Sequence, residues 1–118
     1  MKVLLVDDSS TMRRIQTNQL NALGVTTIVE AENGQDGLDK LAANMPVDVV
    51  LLDWNMPVKN GFEFLTEARA NTAYAGVKII MCTSESEKSR VLEALKAGAN
   101  NYMVKPFTPE SLKEKLGL

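Results

Sequence analysis

The sequence has no histidine and only one cysteine among its 118 residues. The absence of histidine excludes Ser–His–Asp and Cys–His catalysis, and it excludes zinc sites that rely on imidazole. A single cysteine can form neither an internal disulfide nor a cysteine cluster for a metal. Cys82 ends the apolar run that begins at Ile79, so we predict a buried, chemically quiet side chain.

Long apolar runs and a strong charge imbalance are also missing. The longest apolar runs have four or five residues, as at 49–52, so no membrane span is predicted. The first residues are too few and too acidic for a signal peptide. Thirteen Lys and Arg against fifteen Asp and Glu give a net charge of −2, which argues against nucleic acid as a partner. We expect one cytoplasmic domain covering residues 1–118.

Short apolar runs alternate with helical patterns along the chain. Strands are predicted at 2–7, 27–30, 49–53, 78–83 and 102–105, and several are nearly all apolar, as in strands covered on both faces. Repeated strand–helix units require parallel strands and right-handed crossovers, and five units are too few for an eight-stranded barrel. The predicted fold class is therefore α/β, a doubly wound, five-stranded parallel sheet in three layers.

The intervening helices have recognisable ends. Ser9 or Ser10 is predicted to cap the first, Ser84–Glu87 resembles a capping box for the fourth, and Thr108 precedes Pro109 at the start of a short fifth. The inward faces are predicted from helical spacing to include Met12, Ile15, Leu20 and Leu23 in the first helix, Leu38, Leu41, Ala42 and Met45 in the second, Phe62, Leu65 and Ala68 in the third, and Val91, Leu92 and Leu95 in the fourth.

Polar residues occur where the predicted strands end. The first strand ends in Asp7 and Asp8, the third in Asp53, the fourth in Thr83 and the fifth in Lys105. In doubly wound sheets the functional site lies at this edge, where the strand order reverses. If the first and third strands are neighbours, the three carboxylates converge there.

Three converging carboxylates repel one another, and a hard divalent cation such as Mg²⁺ removes that repulsion through oxygen ligands. A carboxylate can also be the nucleophile, as in enzymes that form an aspartyl phosphate, with Lys105 and Thr83 contacting phosphoryl oxygens. The alternative roles are ordinary ones: helix caps for Asp7, Asp8 and Thr83, an ordinary turn acid for Asp53, and a solvated Lys105. Trp54, directly after the acid that ends the third strand, is predicted to be partly exposed.

Four motifs occur in order at spacings that resemble the receiver domain of two-component response regulators. They are Val6-Asp7-Asp8-Ser9, then Leu52-Asp53-Trp54-Asn55-Met56-Pro57 with Gly61, then Met81-Cys82-Thr83-Ser84, and Val104-Lys105-Pro106-Phe107. The resemblance extends from Lys2 to about Leu116. It implies the flavodoxin-like strand order 2-1-3-4-5.

The resemblance also implies residue roles. Asp53 would accept the phosphoryl group, and Asp7, Asp8, Asp53 and the carbonyl of Asn55 would bind Mg²⁺. Thr83 and Lys105 would contact the phosphoryl group, with Asn55, Ser84 and Glu85 at the variable positions around it. Tyr102 would change position, within a switch and partner face that also contains Lys88, Val91, Leu95, Val104 and Lys115.

The implied partners are a histidine kinase as phosphodonor, a flagellar motor switch protein or another output protein, and a phosphatase. The basic end of the chain, with Lys88, Arg90, Lys113 and Lys115, suits an acidic partner segment. The implied protein is not an enzyme beyond its own phosphorylation and dephosphorylation. Three alternatives stay open: a receiver from a larger regulator with a DNA-binding output, an aspartyl-phosphate phosphohydrolase, and a flavin protein of the same fold.

Overall fold

The computed structural model describes the backbone of residues 1–118 and every side chain except that of Glu85. The strands are β1 (Lys2–Val6), β2 (Thr27–Ala31), β3 (Val49–Asp53), β4 (Lys78–Thr83) and β5 (Asn101–Val104). The helices are α1 (Ser10–Ala22), α2 (Gly34–Asn44), α3 (Gly61–Ala70), α4 (Val91–Lys96) and α5 (Pro109–Leu116). Short 3₁₀ helices cover Thr72–Tyr74 and Glu85–Arg90.

All five strands are parallel, in the order β2-β1-β3-β4-β5, which confirms the predicted fold class. β1 lies between β2 and β3, so the strand order reverses there. Four predicted strand ends were wrong by one residue: β1 stops before Asp7, β2 continues through Ala31, and β5 covers 101–104, so that both of its ends are shifted. Asp7 and Lys105 therefore belong to the loops that leave the strands, where side chains are free to turn toward one another.

Two apolar clusters sandwich the sheet. Alternate residues of β1, such as Leu4 and Leu5, point into opposite clusters because successive strand side chains face opposite sides. One cluster receives residues of α2, α3 and α4, and the other receives residues of α1 and α5. This double covering explains why β1, β3 and β4 are almost entirely apolar. Cys82 lies in the second cluster, where burial raises the pKa of its thiol to about 12.

Most helix ends agree with the sequence. The Oγ of Ser9 accepts a hydrogen bond from the Met12 backbone N–H at 3.1 Å, so Ser9 and not Ser10 is the cap of α1. Thr108 caps α5 with Pro109 in its first turn. At 84–87, the Glu87 carboxylate accepts from the Ser84 backbone N–H at 2.9 Å, but the segment begins as a 3₁₀ helix.

Several predicted inward faces were wrong. Ile15 is 45% exposed, and α1 buries Gln16 in addition to Leu20. Ala42 of α2 and Met45, which follows its last residue, are exposed, while Leu41 is buried. In α4 the predicted Leu92 and Leu95 are 62% and 38% exposed, because the helix packs through Val91 and the small Ala94.

The described residues form no helix that is both long and apolar enough to cross a membrane.

Candidate functional site

The predicted site residues meet at the carboxyl edge of the sheet. Asp7 follows β1, Asp53 is the last residue of β3, Thr83 is the last of β4, and Lys105 follows β5. Because β1 and β3 are neighbours, Asp7 and Asp53 face each other across one strand spacing. The strand ends thus gather groups that are up to 98 residues apart in sequence.

Asp7, Asp8 and Asp53 form an acidic cluster. One carboxylate oxygen from each lies within 4.8 Å of the others. Asp7 and Asp53 are 2% and 7% exposed, whereas Asp8 is exposed to solvent. Three hard oxygen donors with one open side fit Mg²⁺, which binds few carboxylates and keeps several waters.

Lys105 bridges the two buried acids. Its Nζ donates to Oδ1 of Asp53 at 2.9 Å and to Oδ2 of Asp7 at 3.4 Å. Burial raises the pKa of Asp53 to about 6, and the Asp7 charge adds to that rise while Lys105 opposes it. Burial alone would lower the pKa of Lys105, but its hydrogen bond and charge attraction to Asp53 raise it overall. The lysine is therefore a firmly charged ammonium group that faces a weakly acidic carboxyl.

Backbone donors fix both buried acids. The Ser9 N–H donates to Oδ1 of Asp7 at 2.8 Å, and the Trp54 N–H donates to Oδ1 of Asp53 at 2.9 Å. Gly61, at the start of α3, donates to the Trp54 carbonyl at 2.8 Å. A Cβ at Gly61 would lie 2.2 Å from the Asp53 carbonyl oxygen, so only glycine permits α3 to begin this close to β3.

Thr83 and Asn55 complete the predicted set. Thr83 is fully buried, and its Oγ1 donates to the Met103 carbonyl at 3.3 Å, a long contact that leaves the hydroxyl easily redirected. Asn55 is exposed on the loop that follows β3, two residues after Asp53. Of the variable positions, Ser84 is half-buried, and the side chain of Glu85 lies outside the described residues.

The prediction that Trp54 is partly exposed was wrong. Trp54 is 3% exposed and belongs to the cluster beneath α3 and α4. Its ring packs against Phe62 at a centroid distance of 5.7 Å, and the Arg90 guanidinium lies 5.5 Å above it. Phe62, in the first turn of α3, and Arg90 thus help to cover the indole.

The predicted switch and partner face is formed around β5, α4 and α5. Tyr102 is half-buried, and Nζ of Lys115 lies 5.6 Å over its ring and 3.2 Å from Oδ1 of Asn101. A cavity of about 360 Å³ lies beside Tyr102, Val104 and Lys115.

The remaining predicted members of this face differ in accessibility. Lys88 and Leu95 are exposed. Val91 is only 8% exposed and offers little surface to a partner, because it faces the sheet with Ala94.

Arg13 is a site neighbour that the sequence reasoning missed. Its guanidinium donates from Nη1 to the backbone carbonyl of Asp7 and from Nε to Oε1 of Glu30 at 2.9 Å. The only signal in the sequence is its position, five residues after Asp8 on a helix that begins beside the acidic pair. Its partner, Glu30, lies on a strand whose register the sequence does not specify.

Comparison with known proteins agrees with this geometry. The family model for the response regulator receiver domain matches residues 3–117. Chemotaxis protein CheY1 of Helicobacter pylori strain J99 is 53% identical over 98% of this chain and 94% of its own length. A CheY homolog of Campylobacter jejuni is 54% identical over 98% of this chain and 89% of its own length.

Solved structures show the same similarity. CheY4 of Vibrio cholerae superposes with a TM-score of 0.88 at 36% identity, covering 98% of this chain and 95% of that one. A probable two-component response regulator with a GGDEF domain gives a TM-score of 0.90 at 28% identity. It covers 99% of this chain, which spans about half (48%) of that structure's chain.

Proposed function

The chain belongs to the response regulator receiver family, and from that premise we propose that it is a phosphorylation-dependent switch of a two-component system. The chemotaxis relatives support a regulator of the chemotaxis type. The observation that carries the proposal is the acidic cluster of Asp7, Asp8 and Asp53 with the Lys105 ammonium 2.9 Å from Asp53.

Asp53 is the proposed phosphoacceptor. A carboxylate oxygen of Asp53 attacks the phosphorus of a phosphohistidine, an O–P bond forms, and the P–N bond breaks to release the imidazole. Because these 118 residues contain no histidine, they cannot supply the phosphohistidine, and the proposed donor is a histidine kinase. Trp54 and Lys105 both donate to Oδ1 of Asp53, which fixes the carboxylate for the attack.

Mg²⁺ is the proposed cofactor, held by Asp7, Asp8, Asp53 and the backbone carbonyl of Asn55. When bound, it neutralises charge on the phosphoryl oxygens. The protein's contribution is to hold the acids: Ser9 and Lys105 position Asp7, while Asp8 stands open to solvent.

Lys105 and Thr83 are the proposed sensors of the phosphoryl group. Lys105 already lies at the reacting carboxylate, and the weakly bonded Thr83 hydroxyl is available for a phosphoryl oxygen. Tyr102 of β5 pairs with Met81 of β4. It is the aromatic residue that we propose changes position on phosphorylation. The proposed output surface comprises Tyr102, Lys88, Leu95, Val104 and Lys115, with a flagellar motor switch protein as target.

Members of this family are signalling proteins and not classical enzymes. We propose that the catalysis is limited to the protein's own phosphorylation and dephosphorylation, the latter aided by a phosphatase. The similarity to a longer regulator with a GGDEF domain supports one alternative, a receiver within a larger protein. The DNA-binding output named for that alternative stays a prediction from the sequence. A cytoplasmic location and a single domain over residues 1–118 stay predictions.

Acetyl phosphate with Mg²⁺ tests the proposal. Intact mass should rise by one phosphoryl group in the wild type, only with Mg²⁺ present. Asp53→Asn keeps the side-chain shape but removes the nucleophilic oxygen, so it should show no Mg²⁺-dependent adduct. Equal labelling of the variant would reject Asp53 as acceptor, and an unlabelled wild type would reject the function. A pull-down with the phosphorylated chain then identifies the output partner.

A further inference from the structure

Arg13 connects the turn that carries two of the proposed metal ligands to the neighbouring strand. Its Nη1 donates to the backbone carbonyl of Asp7, and its Nε donates to Glu30 at 2.9 Å. The Arg13 side chain is only 15% exposed, although Glu30 is half exposed at 49%. A largely buried guanidinium that donates to two acceptors at once is restricted in its orientation.

The Asp7–Asp8 turn has few other restraints. The Asp7 N–H donates to Ala31 at 3.1 Å, and the Asp7 carboxylate accepts from the Ser9 N–H at 2.8 Å and from Nζ of Lys105 at 3.4 Å. These contacts act on the amide or the side chain of Asp7. Among the described contacts, Arg13 is the side chain that holds the Asp7 carbonyl, and this carbonyl begins the peptide that leads to Asp8.

We propose that Arg13, anchored by Glu30, is a positioning residue that orients the Asp7–Asp8 turn for binding a divalent cation. The inference rests on the proposed Mg²⁺ site. Arg13 does not itself contact the carboxylates in any described hydrogen bond; it acts through the peptide between them.

Charge and positioning predict opposite effects of removing Arg13. A guanidinium near a cation site repels the cation, so its loss would tighten Mg²⁺ binding if charge alone mattered. If Arg13 positions the turn, its loss lets Asp7 and Asp8 adopt other orientations and weakens binding. Residues that orient metal ligands typically change metal affinity by about 10- to 100-fold when replaced.

The experiment is a MgCl₂ titration of the full chain, followed by the fluorescence of Trp54 and independently by the Mg²⁺-induced rise in the urea midpoint. Arg13→Ala should weaken Mg²⁺ binding about tenfold. The Mg²⁺ affinity of Arg13→Lys should lie between those of Arg13→Ala and the wild type, since one ammonium group cannot donate to both acceptors as the planar guanidinium does. At saturating Mg²⁺ the phosphorylation rate with acetyl phosphate should return close to the wild-type rate.

Matched controls separate positioning from general damage. Arg14→Ala removes the adjacent, exposed arginine and should leave the Mg²⁺ affinity within twofold of wild type. Ile79→Val weakens the core at the opposite end of β4 and should lower stability without changing Mg²⁺ affinity. Glu30→Ala should weaken binding a few fold, and adding it to Arg13→Ala should cause no further loss, because Glu30 acts through Arg13.

Every outcome of the titration either supports or contradicts the positioning role of Arg13. An Mg²⁺ affinity for Arg13→Ala equal to or tighter than wild type overturns the inference, as does an equal loss in either control. If Arg13→Ala does not fold, Arg13→Lys and Glu30→Ala carry the test under the same criteria. If the wild type itself shows no Mg²⁺ response, the proposed function fails along with this inference; if the wild type responds and the Arg13 variants match it, only this inference fails.

Discussion

Asp53 carries a charge that its surroundings disfavour. Its carboxyl is nearly buried, and its pKa of about 6 lies well above the ordinary value of 3.8 because of that burial. The folded chain therefore holds this proton more tightly than the unfolded chain. Asp53 contributes most favourably to stability below about pH 4, and that contribution is lost as the pH rises through about 6.

Asp53→Asn should consequently stabilise the protein at neutral pH in Mg²⁺-free buffer. The gain in the free energy of unfolding should be about 2–3 kcal/mol at pH 7.5, since the shift of the pKa from 3.8 to about 6 corresponds to ~3 kcal/mol and already includes the opposing attraction of Lys105. At pH 4 the gain should vanish. Urea unfolding at both pH values measures the gain in the free energy of unfolding, and Asp39→Asn at an exposed position is the control. A gain that does not depend on pH would contradict the prediction.

At the scale of elements, Arg69 joins three segments at the amino edge of the sheet. Its guanidinium, on the last turn of α3, donates to the carbonyls of Gly98, Tyr74 and Val77 and to Oδ1 of Asn100, at 2.7–2.9 Å. The same Asn100 oxygen accepts from the Ile79 N–H at 2.7 Å. One side chain thus ties the end of α3 to the segments that precede β4 and β5.

Arg69→Met should lower the free energy of unfolding by about 3 kcal/mol, since hydrogen bonds to a charged group contribute roughly 1.5–3 kcal/mol each and water replaces part of that loss. Arg69→Lys should retain less than half of the stability that Arg69→Met loses, because one ammonium group cannot reach all four acceptors. The exposed Lys96→Met serves as control. Chemical denaturation measures each effect, and a loss below about 1 kcal/mol would show that Arg69 is dispensable.

The sequence predicted the positions of strands and helices better than it predicted which helix faces are buried. Strand–helix alternation and apolar runs were enough to predict every end of the five strands within one residue, because buried parallel strands have little freedom in composition. Helical spacing alone placed Leu92 and Leu95 inward, yet α4 approaches the sheet through Ala94. That choice depends on how closely two elements pack, which no local pattern encodes. Asp7, Asp8, Asp53, Thr83 and Lys105 were found because each marks a strand end, whereas Arg13 needed the strand register.

At the scale of the whole molecule, the proposed function makes switching an equilibrium between two arrangements. Reversing a 1:99 ratio requires about 5.5 kcal/mol, whereas one hydrogen bond to a charged group contributes roughly 1.5–3 kcal/mol. Thr83 alone is therefore insufficient. Lys105, Tyr102 and the partner must share the remainder, because a ligand shifts an equilibrium only by its differential affinity.

Thr83→Ala should still be phosphorylated but should lose at least tenfold of the phosphorylation-dependent gain in partner affinity, the equivalent of about 1.4 kcal/mol or more. On the proposed function, the Thr83 hydroxyl contacts a phosphoryl oxygen and takes no part in the attack by Asp53. Thr83→Ser keeps a hydroxyl and should retain most of the gain. Calorimetry with the partner recovered by pull-down measures the affinity of each protein with and without a phosphoryl mimic. If Thr83→Ala shows the same ratio of these two affinities as the wild type, Thr83 has only a structural role.

The ion pair between Asp7 and Lys105 joins positions 98 residues apart. No contiguous fragment short of nearly the whole sequence brings them together, and the Asp53 carboxyl between them depends on both. On the proposed function, a copy still emerging from the ribosome, or one that has lost β5 to fraying or proteolysis, has no intact acceptor site. Such a copy neither consumes phosphoryl groups nor gains affinity for the output partner. The strength of the signal then depends only on fully folded molecules.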